Sequence, residues 1–231
     1  MPKDDEIAQR GAVSRADLET WLRPAGLQLV DTRTWRATTI HPNASGAVAA
    51  GGRLLAFGRL VGPPSSPDPN QAAMLARTFG CIRVVWNRTL AARRTRYATE
   101  RKGTSYQETD AALTAMKRLP ELAWLNEVSS VPLQQTLRHQ HTAFAAFFAG
   151  RARAPRFKSR RGRQAAHYTR RAFRWREDQL WLAKSSAPLR LVWSWPEVDP
   201  ATLDPTTVTV SRDPDGRWYA TLHVDMADPA P

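Results

Sequence analysis

The spacing of apolar residues changes at Gly150, and this change constrains the fold more than any other feature of the sequence. Before Gly150, apolar side chains recur every three to four residues, which is the spacing of one face of an α-helix. After Gly150, short segments alternate polar with apolar residues and are rich in Tyr, Trp, Thr and Val, as half-buried strands are. The order of the two patterns predicts an α+β protein with a helical part followed by a strand-rich part.

The helical part begins with two predicted helices. The first covers about residues 70–102, and its apolar stripe consists of Leu75, Phe79, Ile82, Trp86 and Leu90. Gly80 interrupts this stripe and is a candidate point for dividing the segment into two helices. The next helix opens at a capping box of Ser105 with Glu108 and ends before Pro120.

A further helix is predicted from the N-cap Ser130 to Gly150, the natural residue just past its end. Its apolar face consists of Leu133, Leu137, Phe144, Phe147 and Phe148. Candidate strands then follow one another to the end of the chain, in the segments AHYTRRAFRW, QLWLAK, LRLVWS, TTVTVS and RWYATLHV. The pair Asp215-Gly216 predicts a hairpin turn between the last two strands.

The residues before the first helix form a small segment of ambiguous α/β character. Two apolar runs surround Gly51-Gly52 within residues 46–62, which predicts a β-hairpin. The stretch at 62–69 holds four prolines and indicates a boundary. The predicted divisions are an N-terminal segment, a helical domain, a β domain and a tail, at residues 1–69, 70–150, 151–226 and 227–231.

Positive charge is concentrated in the second part of the chain. The formal charge is +13 and the isoelectric point about 11.0. Residues 1–70 hold 8 Lys or Arg against 7 Asp or Glu, whereas the remaining residues hold 26 against 14. Residues 150–176 alone carry eleven Arg or Lys with no Asp or Glu. This asymmetry predicts a polyanionic partner, nucleic acid first, with a solvated basic surface or membrane-surface affinity as alternatives.

Aromatic residues lie between these cations, and arginine with aromatic rings can bind phosphates and stack on bases. The segment KSRRGRQ is predicted to be a loop, followed by one strand. Alternation along that strand places His167, Thr169, Arg171 and Phe173 on one face and Tyr168, Arg170, Ala172 and Arg174 on the other. The candidate nucleic-acid contacts are Arg93, Arg94, Arg151, Arg153, Arg156, Lys158, Arg160, Arg161, Arg163, His167, Tyr168, Arg170, Arg171 and Arg174.

The sequence predicts neither a catalytic centre nor a bound metal or cofactor. Carboxylates are scattered, and no phosphate-binding or nucleophile motif is present. His139 and His141 lie two apart on a helix and point away from each other, which is unsuitable for a metal pair. The chain has no apolar run long enough for a membrane span and no signal peptide at its start, so a cytoplasmic location without membrane partners is expected.

Several blocks in register resemble the OrfB/TnpB proteins of bacterial insertion sequences. They are residues 71–90, 105–118, 121–150, 155–175 and 209–224. That family consists of RNA-guided DNA nucleases encoded by transposons. The resemblance implies a helical recognition-like lobe at about 71–150 and a wedge-like partial β-barrel at about 151–225, which would bind guide RNA and the duplex that flanks the target.

Two departures from the family pattern shape the expected function. The family's RuvC-like nuclease domain, with three metal-binding carboxylates, begins at an Asp-x-Gly strand, whereas this chain ends in DMADPAP. Asp225 and Asp228 lack the glycine, and a zinc ribbon needs four cysteines where only Cys81 is present. We therefore expect a truncated, non-enzymatic protein that binds structured RNA, DNA or both.

The second departure concerns the strand that opens the family's barrel. Here it is replaced, and the run AFGRLVG at 56–62 is a candidate substitute. Residues 46–62 also resemble the central hairpin of GNAT-type acetyltransferases, although the acetyl-CoA loop that should follow is missing. A non-functional gene remnant and an acetyltransferase-related enzyme are therefore the alternative readings.

Overall fold

The computed structural model describes residues 47–50, 53–60, 67–177, 179–192, 201 and 203–225. Three α-helices lie in these ranges, namely α1 (Pro69–Glu100), α2 (Tyr106–Met116) and α3 (Ser130–Phe148). Short 3-10 helices occupy Pro120–Asn126 and Arg170–Ala172. The strands are β1 (Ala47–Ala50), β2 (Arg53–Leu60), β3 (Gln164–Thr169), β4 (Phe173–Arg176), β5 (Gln179–Leu182), β6 (Leu189–Val192), β7 (Pro205–Arg212) and β8 (Trp218–Asp225). The predicted α+β class is confirmed.

Helix α1 is one continuous helix of 32 residues. Asp68 caps it, accepting hydrogen bonds from the backbone of Asn70 and Gln71, while the Gln71 side chain accepts from the Asp68 backbone. The division expected at Gly80 does not occur, because the helix tolerates a glycine where its neighbours hold the backbone in place. The apolar stripe is otherwise as predicted, with only Trp86 half-buried among its members.

The ends of α2 and α3 follow local rules. The Ser105–Glu108 capping box is confirmed, since Glu108 Oε2 accepts from the Ser105 backbone at 2.7 Å. The cap of α3 is Ser129 rather than Ser130, so this helix begins one residue earlier than predicted. Gly150 has a φ of 68°, the left-handed conformation that a residue just past a helix often takes.

The strands form one antiparallel sheet whose order is β3-β7-β8-β2-β6-β5-β4, with β1 paired to β2. Strands β3 and β4 lie at opposite ends of this order, yet only the 3-10 helix Arg170–Ala172 separates them along the chain. One bent segment therefore supplies both ends of the sheet, which gives it the form of a partial barrel.

The N-terminal hairpin belongs to this sheet. Strands β1 and β2 pair with Ala50 opposite Arg53, which confirms the hairpin predicted around Gly51-Gly52. Strand β2 pairs with β8 along most of its length and with β6 at its end, where Arg59 lies opposite both Tyr219 and Val192. Strand β2 of the N-terminal segment therefore lies in the same sheet as strands of the predicted β domain, while most of the predicted boundary at 62–69 lies outside the described residues and the domain divisions stay a prediction.

The single strand predicted for AHYTRRAFRW is wrong. The 3-10 helix after Thr169 interrupts it, and three residues per turn do not preserve the two-residue alternation of a strand. As a result Ala172 and Phe173 are both buried, while Arg170 and Arg171 are both exposed. The predicted assignment of faces therefore fails beyond residue 169.

The helices and the sheet share one core. The Phe79 ring of α1 stacks on Trp218 of β8 with 5.8 Å between centroids. Gln71 Nε2 donates to the backbone oxygen of Pro188 at 2.8 Å, which ties the start of α1 to the loop before β6. This packing fixes the helices against the strands that belong to residues 150–176, which we call the basic segment. Within the described ranges, no helix has the length and apolar character needed to cross a membrane.

Candidate nucleic-acid interface

Residues 155–158 lie along α1 and are held there by side chains of that helix. Trp86 Nε1 donates to the backbone oxygen of Arg156 at 2.8 Å. Asn87 binds both backbone groups of Lys158, accepting from its N–H at 2.8 Å and donating to its oxygen at 3.1 Å. Arg94 donates to the backbone oxygen of Pro155 at 2.6 Å. The start of the basic segment is therefore an ordered strap, although it has no regular secondary structure.

The next residues form a loop that a single glutamine organises. Gln164 Nε2 lies within hydrogen-bonding distance of the backbone oxygens of Gly162, Ser159 and Arg160, at 2.6, 3.0 and 3.3 Å. The backbone of Arg161 also donates to Ser159 Oγ at 3.1 Å. These contacts close the loop at 159–163 on itself, as predicted for KSRRGRQ, and turn its arginine side chains outward.

Two of the candidate cations have carboxylate partners. Arg163 Nε lies 3.2 Å from Asp213, and its Nη2 donates to the buried hydroxyl of Ser211. Arg170 Nη2 lies 2.7 Å from Asp204. Other cations are exposed, and among the described residues their side chains have no hydrogen-bond or ion-pair partner; they are Arg151, Arg153, Arg156, Arg160, Arg161, Arg171 and Arg174. This second set is free to neutralise phosphates.

His167 serves the packing of α3 on the sheet. Its Nδ1 lies 2.8 Å from Thr209 Oγ1, and its ring meets that of His139 edge-on at 4.2 Å. Burial, together with the positive charges of His139 and other neighbours, lowers the pKa of His167 to about 3. The imidazole is thus neutral at neutral pH and supplies no charge to a phosphate.

Two other candidates are buried. The side chain of Tyr168 is 1% exposed and lies in the core, so the expectation that it contacts nucleic acid is corrected. Arg93 is 7% exposed, and its guanidinium lies over the Phe144 ring at 5.2 Å. Lys158 Nζ also lies over a ring, that of Trp86, at 4.9 Å. Arg94 lies in α1 and holds the strap through its hydrogen bond to Pro155, as described above.

The residues that position the basic segment were missed by sequence reasoning. Asn87 and Gln164 are not charged, and their partners cannot be read from periodicity because Asn87 and Lys158 are 71 positions apart. One local signal exists, namely the polar residue Asn87 directly after Trp86, the member of the apolar stripe whose ring carries a hydrogen-bond donor. Among the described residues, no group of three or more His, Cys, Asp or Glu is placed to hold a metal ion.

Comparison with known proteins tests the resemblance found in the sequence. Residues 66–102 match the model of the OrfB/IS605 helix-turn-helix domain. In the structure they hold the Asp68 cap and all of α1, and α2 follows after the turn at 101–105. A "Putative RNA-guided DNA endonuclease" of Streptomyces pristinaespiralis is 53% identical over 167 residues, which cover 71% of this chain and 41% of that protein. These matches confirm the resemblance to the OrfB/TnpB family.

A second relative is more distant. The "Putative RNA-guided DNA endonuclease InsQ" of Escherichia coli (strain K12) is 34% identical over 102 residues, which cover 44% of this chain and 25% of InsQ. The match to this chain therefore spans less than half the length of either relative. The expectation that the protein is not an enzyme is corrected by these findings, because both relatives are named as endonucleases. The cytoplasmic location stays a prediction.

Proposed function

We propose that the strap at 155–158, the loop at 159–163 and the exposed arginines beside them bind nucleic-acid phosphates. The favoured ligand is a structured RNA, with DNA second, and the binding would serve an RNA-guided DNA endonuclease of the kind that the relatives' names describe. The observation that carries the proposal is a set of exposed arginines without carboxylate partners on a backbone that Asn87 and Gln164 hold in place.

The fixed backbone supports binding rather than simple solvation. A solvated basic surface needs no fixed geometry, and its side chains gain entropy from a mobile chain. Here at least five hydrogen bonds restrain residues 155–163. Four come from α1 side chains and at least one from Gln164, directly after the loop. Restraint before binding lowers the entropy lost on binding, which is the advantage of a pre-organised site. The intact anchors also favour a working surface over that of a degraded remnant.

The choice of RNA rests on chemistry that arginine offers and on the family. Arginine pairs bidentately with phosphate and can stack on exposed bases, and folded RNA displays both groups in loops and bulges. The relatives are named for guidance by RNA and action on DNA, so each nucleic acid must meet such a protein. A duplex of plain DNA offers phosphates without unpaired bases, so it should bind the same cations more weakly.

The test measures the salt dependence of binding to a structured guide-type RNA. If about five phosphates are contacted, the logarithm of the affinity should fall with the logarithm of salt concentration with a slope of roughly −3 to −4. Replacing Arg160 and Arg161 together by Ala should make that slope shallower by about 1.4. Arg163 is left unchanged because it pairs with Asp213.

The matched control removes the same charge elsewhere. Arg88 and Arg118 are exposed arginines of the helical part, outside the basic segment, and neither has a carboxylate partner among the described residues. Their double replacement by Ala should lower affinity slightly through net charge and leave the slope unchanged. Equal slopes for the Arg160/Arg161 variant and the control would contradict the proposal and indicate a solvated basic surface.

A further inference from the structure

Exposed aromatic rings lie together at the ends of α1 and α3. The ring cluster consists of Tyr97, Phe144, Phe147 and Phe148. Phe148 is at its centre, with centroid distances of 6.3 Å to Tyr97, 6.1 Å to Phe144 and 5.3 Å to Phe147. The exposed fractions are 64% for Phe148, 46% for Tyr97 and 38% for Phe147. The sequence places these phenylalanines on an apolar helix face, yet the core ends at Leu137 and Gln140 of that face.

A buried arginine lies against this cluster. Arg93 Nε and Nη2 are buried without hydrogen-bond partners, and the guanidinium lies over the Phe144 ring. A buried charge that lacks a partner is costly, because it has lost water and gained nothing equivalent. Glu108, the carboxylate whose charge acts on Arg93, is itself hydrogen-bonded to Arg96 at 2.6 Å. An anion bound at the cluster would compensate the charge of Arg93.

The surroundings of the cluster are also positive. The end of α1 and the residue after it carry Arg93, Arg94, Arg96 and Arg101. The carboxylates beside them are Glu100 of α1 and Glu108 of α2, and both contact Arg96. Arg101 lies over the Tyr97 ring at 5.9 Å. Arg94 lies over the exposed ring of Phe157 at 4.9 Å, and Phe157 belongs to the strap. Two successive arginines of α1 thus contact the cluster and the strap, Arg93 at Phe144 and Arg94 at Phe157.

We propose that the ring cluster binds unpaired bases of a single-stranded stretch of nucleic acid, with Tyr97 and Phe148 as the stacking rings. The proposal rests on the proposed function, because the phosphates of the same nucleic-acid strand would bind to the basic segment. Aromatic rings beside arginines are the usual chemistry for unpaired bases. A second copy of the chain fits the cluster less well, since a symmetric contact would bring the same arginines face to face.

The test uses a fluorescein-labelled, non-self-complementary RNA of twelve nucleotides and measures its affinity by anisotropy. Phe148→Leu keeps an apolar side chain but removes the π-face, so affinity should fall about tenfold, which lies within the range measured for base–aromatic stacking. Phe148→Tyr keeps the ring and should retain the affinity. The salt slope should be unchanged in both variants, because neither removes a phosphate contact.

Controls separate this inference from the proposed function. Trp181→Leu alters another exposed aromatic residue, 39% exposed on β5, and should leave the affinity unchanged. A blunt RNA duplex of the same length should bind wild type and Phe148→Leu equally, because its bases are not free to stack. Thermal unfolding confirms that each variant is folded.

The outcomes are distinct. If the single strand binds through Arg160 and Arg161 but Phe148→Leu binds as tightly as wild type, the stacking site is disproved and the proposed function stands. If neither the Arg160/Arg161 replacement nor Phe148→Leu changes binding, the stacking site and the proposed function are both disproved. If Phe148→Leu instead changes the sedimentation of the free protein from dimer to monomer, the cluster is an interface between copies and the inference is overturned.

Discussion

Asn87 and Lys158 are 71 positions apart, yet the amide of Asn87 binds both the N–H and the oxygen of the Lys158 backbone, at 2.8 and 3.1 Å. The Asn87 side chain thus makes the same two hydrogen bonds to Lys158 that the backbone of a residue in a neighbouring β-strand would make. It joins the middle of α1 to a segment that has no regular secondary structure of its own. The basic segment therefore takes its position from an uncharged residue.

Asn87→Ala should weaken RNA binding without changing the charge of the protein. Two hydrogen bonds of about 1 kcal/mol each are lost, so the strap becomes mobile and must be ordered again on binding. We expect the dissociation constant for the structured RNA to rise about three- to tenfold, as measured by anisotropy at fixed salt.

Asn126→Ala is the matched control for that variant. Asn126 Nδ2 donates to the backbone oxygens of Lys117 and Ala123, away from the basic segment. Its loss should affect thermal unfolding but not the dissociation constant. If the Asn87 and Asn126 variants bind RNA equally well, the strap does not contribute to binding.

Acid should destabilise the protein through His167. The folded state keeps this imidazole neutral down to about pH 3, whereas the unfolded chain takes up a proton near pH 6.5. Between these values the unfolded state binds more protons, so the free energy of unfolding falls as the pH falls. The slope attributable to His167 should be at most about 1.4 kcal/mol per pH unit, the value for a full difference of one proton.

Urea unfolding at pH 7.5 and pH 5.5 measures this dependence, above the range where most carboxylates titrate. His167→Gln should reduce the difference between the two pH values. His141→Gln serves as the control, because His141 is exposed on α3 and should leave the dependence as in wild type. An equal dependence in the wild type and the His167 variant would mean that other groups cause the acid sensitivity.

Arg93→Met should stabilise the free protein. Methionine keeps the unbranched apolar stem of arginine and removes two buried nitrogens that have no partner. We expect a gain of about 1–2 kcal/mol in the free energy of unfolding, measured with urea. The neighbouring Arg94→Met should have the opposite effect, because it removes the hydrogen bond to Pro155 at 2.6 Å. A greater loss of stability at residue 93 than at residue 94 would show that the Arg93 charge is well solvated or paired.

Ala56→Pro should destabilise the protein far more than Ala49→Pro. Ala56 of β2 lies opposite Ala47 on one side and Leu222 on the other, so its N–H faces a neighbouring strand in either orientation. Proline removes that donor and is tolerated mainly at sheet edges.

Ala49→Pro is the control for that variant. Among the described strands β1 pairs only with β2, so Ala49 lies at such an edge. We expect a loss of about 2 kcal/mol or more for Ala56→Pro by thermal unfolding. Similar losses at both positions would place β2 outside the stable sheet.

The sequence by itself determined the features that depend on nearby residues. The capping boxes at Asp68 and Ser105, the apolar stripe of α1 and the left-handed Gly150 all follow from contacts within about four positions. The uneven distribution of charge along the chain can be read from the sequence without a structure, and so can the expectation of a polyanionic partner. Comparison of sequence blocks added the resemblance to the OrfB/TnpB family, and the matches to known proteins confirm that resemblance.

The tertiary structure decided which cations are free and which rings are exposed. Arg163 and Arg161 look alike in the sequence, yet only Arg163 meets a carboxylate, that of Asp213. Phe148 continues the apolar face of α3 but lies beyond the point where the sheet covers that helix. The bend after Thr169 and the place of β2 beside β8 are likewise set by pairing between distant segments. Periodicity describes the environment of a residue along its own element, whereas these properties depend on which other element packs against it.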